Sequence, residues 1–175
     1  MAGRELRIGI VGCGHAARIH LDRLRRIEGV VVVGTADPDL LAAQALSASV
    51  AANPPVPAFS DHLELLKATK PEALAIFTPH LAHYHPAMDA LRAGCHVFIE
   101  KPLSTNPQEA ADIINLARGR QRKVAVGHQF RLLPSVAAAK ARIAEGGDRA
   151  DSSGDGDFGA TVVDDPLGVG KLLEV

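Results

Sequence analysis

The sequence is short of several things, and each shortage closes off a class of protein. It holds two cysteines, Cys13 and Cys95. Each lies in or beside a buried strand or glycine turn, so no disulfide framework is expected and a reducing cytoplasm is the simplest compartment. No apolar run approaches the roughly 18 residues of a membrane helix, so no membrane partner is expected. The opening Met1-Ala2-Gly3-Arg4-Glu5-Leu6-Arg7 lacks an apolar stretch, and nothing there marks the chain for export. Formal net charge is −1 and no basic run occurs, which argues against nucleic-acid binding. Arg23, Arg25 and Arg26 read as the solvated face of a helix. What the 175 residues do have is 47% hydrophobic side chains, enough for one packed domain with an appendage.

The richest pattern lies near the start. A short apolar strand, Leu6-Arg7-Ile8-Gly9-Ile10-Val11, runs into Gly12-Cys13-Gly14-His15-Ala16-Ala17, and a helical pattern through Ile19, Leu21, Leu24 and Ile27 follows. This is a dinucleotide fingerprint with alanine in its third small position. Gly12 permits a tight turn, Gly14 lets the backbone approach a pyrophosphate, and Ala17 allows close helix–strand packing. The free N–H groups and dipole of the helix start favour diphosphate charge. A second strand, Val30 to Gly34, leads to Thr35-Ala36-Asp37. An acidic residue at that tip is where a ribose 2′-hydroxyl is bound, which favours NAD over NADP. Asp37 also reads as a plain N-cap, with Pro38 at the first helical position.

The tripeptide Glu100-Lys101-Pro102 ends a further apolar run, Cys95 to Ile99. A lysine at the C-terminal lip of a buried strand reaches the crevice where open α/β sheets take ligands, and the proline turns the chain away from the sheet. The plainer reading is a surface lysine at a strand end.

Helices and strands alternate along the rest. Helices are expected from Asp39 to about Val50, from a Ser60 cap, from His83 to Ala93 with Gly94 as the stop, from Gln108 to Arg118 with Gly119 as the stop, and from Pro134 to about Glu145. Strands are expected at Ala58-Phe59, Ala73 to Phe77, Cys95 to Ile99 and Lys123 to Gly127. Apolar strands separated by helices of this length imply an α/β fold, a doubly wound and mostly parallel sheet of the Rossmann type. Residues 1–146 would form this domain. Residues 147–175 carry seven acids against Arg149 and Lys171; the polar, glycine-rich stretch 148–157 cannot bury enough surface to order itself. Gly159 to Val163 could add one short strand. The spaced aspartates do not match a calcium loop. His80, His83 and His85 offer three imidazoles where a structural zinc needs four ligands, so no metal is expected. Cys13 sits where a helix N-terminus lowers a thiol's pKa, yet it reads as a small filler of the turn.

Taken together, these motifs resemble the N-terminal half of the glucose-fructose oxidoreductase, inositol dehydrogenase and rhizopine-catabolism (Gfo/Idh/MocA) family. The likeness runs from about Leu6 to Glu145. Beyond the fingerprint and Ala36-Asp37-Pro38, it rests on Thr78-Pro79, His83, Ala87, Ala90-Leu91, Ala93-Gly94 and His96-Val97, then on Glu100-Lys101-Pro102-Leu103 and Val126 to Arg131. The resemblance implies NAD(P) binding and hydride transfer to or from a sugar, cyclitol or related hydroxyl or carbonyl substrate. It matches Lys101 to the family's catalytic lysine, and Thr78, Pro79 and His83 to the loop and helix beside the nicotinamide half. Where the family usually has asparagine after Thr-Pro, this chain has His80.

By the same resemblance, Lys101, desolvated by partial burial, would hydrogen-bond the substrate oxygen and assist proton transfer. Glu100 would orient it or form a structural ion pair. His128 and Arg131 would contact substrate or simply fix their loop. The family's substrate domain is not expected in a tail this short. Hydride transfer needs a water-poor pocket, so cofactor binding is expected ahead of turnover. A non-catalytic NAD-binding module or sensor, and a subunit that pairs with a separate substrate-domain chain, stay open, as does a homo-oligomer.

Overall fold

The computed structural model describes residues 5–52 and 54–144. By its contacts the chain divides into two compact units, Met1–Gly127 and His128–Val175. The expected boundary at 146 and the acidic stretch 147–175 lie outside the described residues.

Within the first unit the chain alternates as its apolar pattern requires. The elements are β1 (Leu6–Val11), α1 (His15–Leu24), β2 (Val30–Ala36), α2 (Leu40–Ser49), β3 (Ala58–Phe59), α3 (His62–Thr69), β4 (Ala73–Ile76), α4 (Tyr84–Arg92), β5 (His96–Ile99), α5 (Pro107–Gly119) and β6 (Val124–Val126). A single 3₁₀ turn, His80–Ala82, precedes α4. The strands form one sheet in the order β3-β2-β1-β4-β5-β6, and every pairing is parallel. The strand order reverses between β1 and β4. In such sheets the crevice at the reversal, outside the strands' carboxyl ends, is where ligands bind.

Burial explains the continuous apolar strands. Ile10, Leu74, Ile76 and Ile99 are wholly enclosed, as expected of a parallel sheet covered on both faces. One apolar cluster packs Leu65 and Leu66 of α3, Met88 and Leu91 of α4, and Ile113 and Ala117 of α5 against Val11, Leu74, Ile76 and Val97.

Short polar side chains set the helix starts. Asp39, Asp61 and Asn106 cap α2, α3 and α5, each accepting from the N–H two residues ahead; such caps contribute about 1 kcal/mol each. Two expectations are corrected here. Asp61, directly before the first helical residue, caps α3 in place of Ser60. Asp39 caps α2 in place of Asp37, whose carboxylate is drawn elsewhere. At the far end of α5 the helix runs through Gly119 and closes on Arg120, so Gly119 is not the stop.

The second unit holds a 3₁₀ turn, Gln129–Leu132, and α6, Pro134–Ala144. Among the described residues no helix is long and apolar enough to cross a membrane.

Candidate dinucleotide site

Register aligns the strand ends that matter. Val11 pairs with Ala36 on one side and Ile76 on the other; Ile76 pairs with Ile99, and Ile99 with Val126. The residues that follow this row are Asp37, Gly12, Phe77, Glu100 and Gly127. Parallel pairing therefore brings the glycine turn, the acidic tip and the Glu100-Lys101-Pro102 turn to one rim.

The two fingerprint glycines do different work. Gly12 has φ +82°, and a Cβ there would stand 2.5 Å from the Thr78 nitrogen and 2.6 Å from the Phe77 carbonyl carbon. Only glycine passes β4 at that distance. Gly14 has an ordinary φ of −77°, and a Cβ on it would meet nothing within 4 Å. Its lack of a side chain serves open space in front of the turn. Helix α1 starts there with no side-chain cap and no acidic residue in its first turn. Exposed His15 and half-buried Ala16 form its start, and Ala17 is fully buried against the sheet. An uncapped positive helix end behind a bare backbone is the donor set that a pyrophosphate requires.

Asp37 is held twice. Its Oδ2 accepts from the Cys13 N–H at 2.7 Å and its Oδ1 from the Asp39 N–H at 2.9 Å. The carboxylate is thus fixed at the tip of β2 with lone pairs to spare. The Cys13 thiol turns inward instead, its Sγ 3.4 Å from the Ala36 carbonyl oxygen. Burial, with the nearby Asp37 charge, pushes it up to about 12. Desolvation outweighs the helix end, and the thiol is neutral.

Across the crevice, Glu100 has both oxygens engaged. Oε2 accepts from the Lys101 main-chain N–H at 2.8 Å, and Oε1 lies 3.1 Å from His20 Nε2. Among the described residues the Lys101 ammonium makes no ion pair, so Glu100 governs its neighbour through the backbone. Lys101 is exposed, not partly buried as expected; the Lys101–Pro102 peptide is cis.

His83, expected beside the cofactor, is fully buried. Its Nδ1 lies 2.8 Å from the Pro102 carbonyl oxygen and its Nε2 3.0 Å from that of Thr78. It ties the loop after β4 to the turn after β5 and presents no ring atom to the crevice. Thr78 closes the same loop through Oγ1 to the Ala82 carbonyl at 3.1 Å, with Pro79 exposed beside it. His128 and Arg131 belong to the second unit, where the Arg131 N–H donates to the His128 carbonyl. Among the described residues no three His, Cys, Asp or Glu side chains gather as a metal would need.

His20 is the residue that the motifs did not single out. Its signal was spacing: Ala17, His20, Leu21 and Leu24 fall at i, i+3, i+4 and i+7, so a histidine sits on the apolar face of the fingerprint helix. Its ring stacks on Phe77 at 4.7 Å and lies 5.4 Å from the Phe98 ring.

Comparison with known proteins agrees with this geometry. Residues 6–128 match GFO_IDH_MocA, described as an oxidoreductase family with an NAD-binding Rossmann fold. An inositol 2-dehydrogenase from Saccharopolyspora erythraea is 34% identical over 147 residues, covering 80% of this chain and 41% of the relative. The D-glucoside 3-dehydrogenase of Escherichia coli is 33% identical over 119 residues, covering 67% of this chain and 33% of the relative. Among solved structures, the WlbA dehydrogenase of Bordetella pertussis, in complex with NADH and UDP-GlcNAcA, superposes with a TM-score of 0.76 at 26% identity. That match covers 82% of this chain and 43% of WlbA. The matched part of the chain spans 33% to 43% of the length of these proteins.

Proposed function

This chain belongs to the Gfo/Idh/MocA oxidoreductase family and carries its NAD-binding Rossmann domain, and from that premise we propose that it serves hydride transfer between NAD and a sugar- or cyclitol-type hydroxyl or carbonyl group. The main support is the aligned row of strand ends, which sets the glycine turn and Lys101 on the same rim.

The residues present fit the cofactor. Gly12 and Gly14, with the N–H groups of His15, Ala16 and Ala17, would receive the diphosphate. Asp37 would accept from the adenosine ribose and repel a 2′-phosphate, favouring NAD over NADP. Thr78, Pro79 and the Glu100-Lys101 turn would border the nicotinamide half. NAD supplies the hydride acceptor, or its reduced form the donor. Lys101 Nζ would hydrogen-bond the substrate oxygen, taking its proton in oxidation and returning it in reduction. Glu100 fixes the start of that side chain, and His83 holds the two flanking loops in register. His128 and Arg131 are proposed as weaker substrate contacts on the family resemblance alone.

The class of substrate rests on the relatives that act on inositol and on D-glucosides. An exposed Lys101 favours a second reading for this chain taken alone, cofactor binding without turnover, since proton transfer beside bulk water gains little from orientation. Any domain or partner that covers Lys101 and excludes water there would favour turnover. The buried, unpaired thiols of Cys13 and Cys95 suit a reducing cytoplasm.

Calorimetric titration with NAD and NADP tests the reading. NAD should bind, and more tightly than NADP. Heat from neither would end it, and equal or tighter NADP binding would remove the Asp37 assignment. Turnover is checked by following NADH absorbance with inositols and glucosides.

A further inference from the structure

We infer that His20 is a positioning residue for Lys101, acting through the Glu100 carboxylate rather than by touching cofactor or substrate. The inference rests on the proposed role of Lys101. Its own support is a chain of contacts across the sheet. His20 projects from α1 onto the rings of Phe77, which follows β4, and Phe98, in β5. Those two rings lie 5.8 Å apart, tilted by 54°. Together they fix the imidazole plane and leave Nε2 facing Glu100 Oε1 at 3.1 Å.

A carboxylate offers only lone pairs, so Nε2 must carry the hydrogen. Burial holds the imidazole below its ordinary pKa, with the Arg23 charge adding to this and Glu100 opposing it. The neutral ring suffices for the bond. Both partners are largely enclosed, with side chains 13% and 15% exposed, so water does not readily replace either. On the remaining side, a Cβ on Gly127 would come within 3.3 Å of the Glu100 carboxylate. The carboxylate therefore has little freedom to swing, and its second oxygen is committed to the Lys101 N–H at 2.8 Å. Removing the His20 donor frees Oε1 to seek another partner and loosens the hold on Lys101 at its backbone.

The test compares two substitutions that separate packing from hydrogen bonding. His20→Phe keeps an aromatic ring against Phe77 and Phe98 but has no donor. His20→Gln loses the ring and keeps an N–H near the position of Nε2. Exchange protection of the Lys101 amide, read by NMR on the full chain, should fall on the order of tenfold in His20→Phe and be largely retained in His20→Gln. Protection that survives in the phenylalanine variant, or that is lost equally in both, overturns the inference. Should the phenylalanine variant fail to fold, the glutamine variant decides alone: retained protection supports the inference and lost protection defeats it. Wild-type calorimetry with NAD stands apart from this readout. Absent heat would defeat the dinucleotide reading while the amide result still reports whether His20 governs the Lys101 backbone.

Discussion

The main-chain N–H of Cys13 donates to Oδ2 of Asp37 at 2.7 Å, joining the turn after β1 to the tip of β2. On the proposed reading, one carboxylate shapes the turn that would face the phosphates and would also accept from a ribose hydroxyl. Asp37→Asn keeps the shape but loses the charge, and its amide nitrogen would face one of two N–H donors. NAD affinity should fall about tenfold or more, given that hydrogen bonds to charged groups contribute about 1.5–3 kcal/mol. The preference for NAD over NADP should shrink with it. Calorimetric titration of both cofactors against both proteins reads the two effects. An unchanged preference would mean that Asp37 does not discriminate.

The paired glycines should behave oppositely. Gly12→Ala meets main-chain atoms at 2.5 and 2.6 Å in a left-handed conformation, and should cost about 3 kcal/mol or more in a urea melt. Gly14→Ala meets nothing, so its melt should match wild type within about 0.5 kcal/mol. Its NAD affinity should nonetheless drop. A Gly14→Ala protein that binds NAD normally would show that no phosphate approaches that backbone.

His83→Phe fills a similar volume but removes the ring N–H that one of the Thr78 and Pro102 carbonyls accepts. A buried acceptor left without a partner costs about 1–3 kcal/mol. The variant should lose about 1–3 kcal/mol by denaturant titration, and NAD binding should weaken as the two loops come apart. A melt within error of wild type would show that the His83 bonds contribute little.

Titration should erode stability at both ends of the pH scale. Burial lowers His20 and His96 below their ordinary 6.5. The unfolded chain then takes up protons first, and stability falls as pH drops below about 7. The Cys13 thiol runs the other way, from 9.0 to about 12. Unfolded thiolate is favoured once pH exceeds about 9, so stability declines through that window. Urea midpoints across pH would trace both limbs. At neutral pH an aromatic disulfide reagent should react with neither Cys13 nor Cys95 until denaturant is added. Prompt reaction in the native protein would contradict their burial.

Much of this molecule was legible in order along the chain. Unbroken apolar runs with helical spacing between them fix strand and helix type, because a strand buried on both faces must be apolar throughout. Gly12 was readable because φ and close approach exclude other residues there, and Gly14 from its spacing between a strand and a helix. The tripeptide at residues 100–102 was readable from its place after a strand. Caps were less so: Ser60 or Asp61, and Asp37 or Asp39, differ by a residue or two, and the choice depends on where a carboxylate finds its partner. Partners across 19, 24 and 80 residues, His83 with Pro102, Asp37 with Cys13, His20 with Glu100, were decided only when parallel register aligned the strand ends. Hydrophobic periodicity is a property of neighbours in sequence and survives in a one-dimensional reading. A hydrogen bond between distant side chains depends on strand order and register, which exist only once the sheet has assembled.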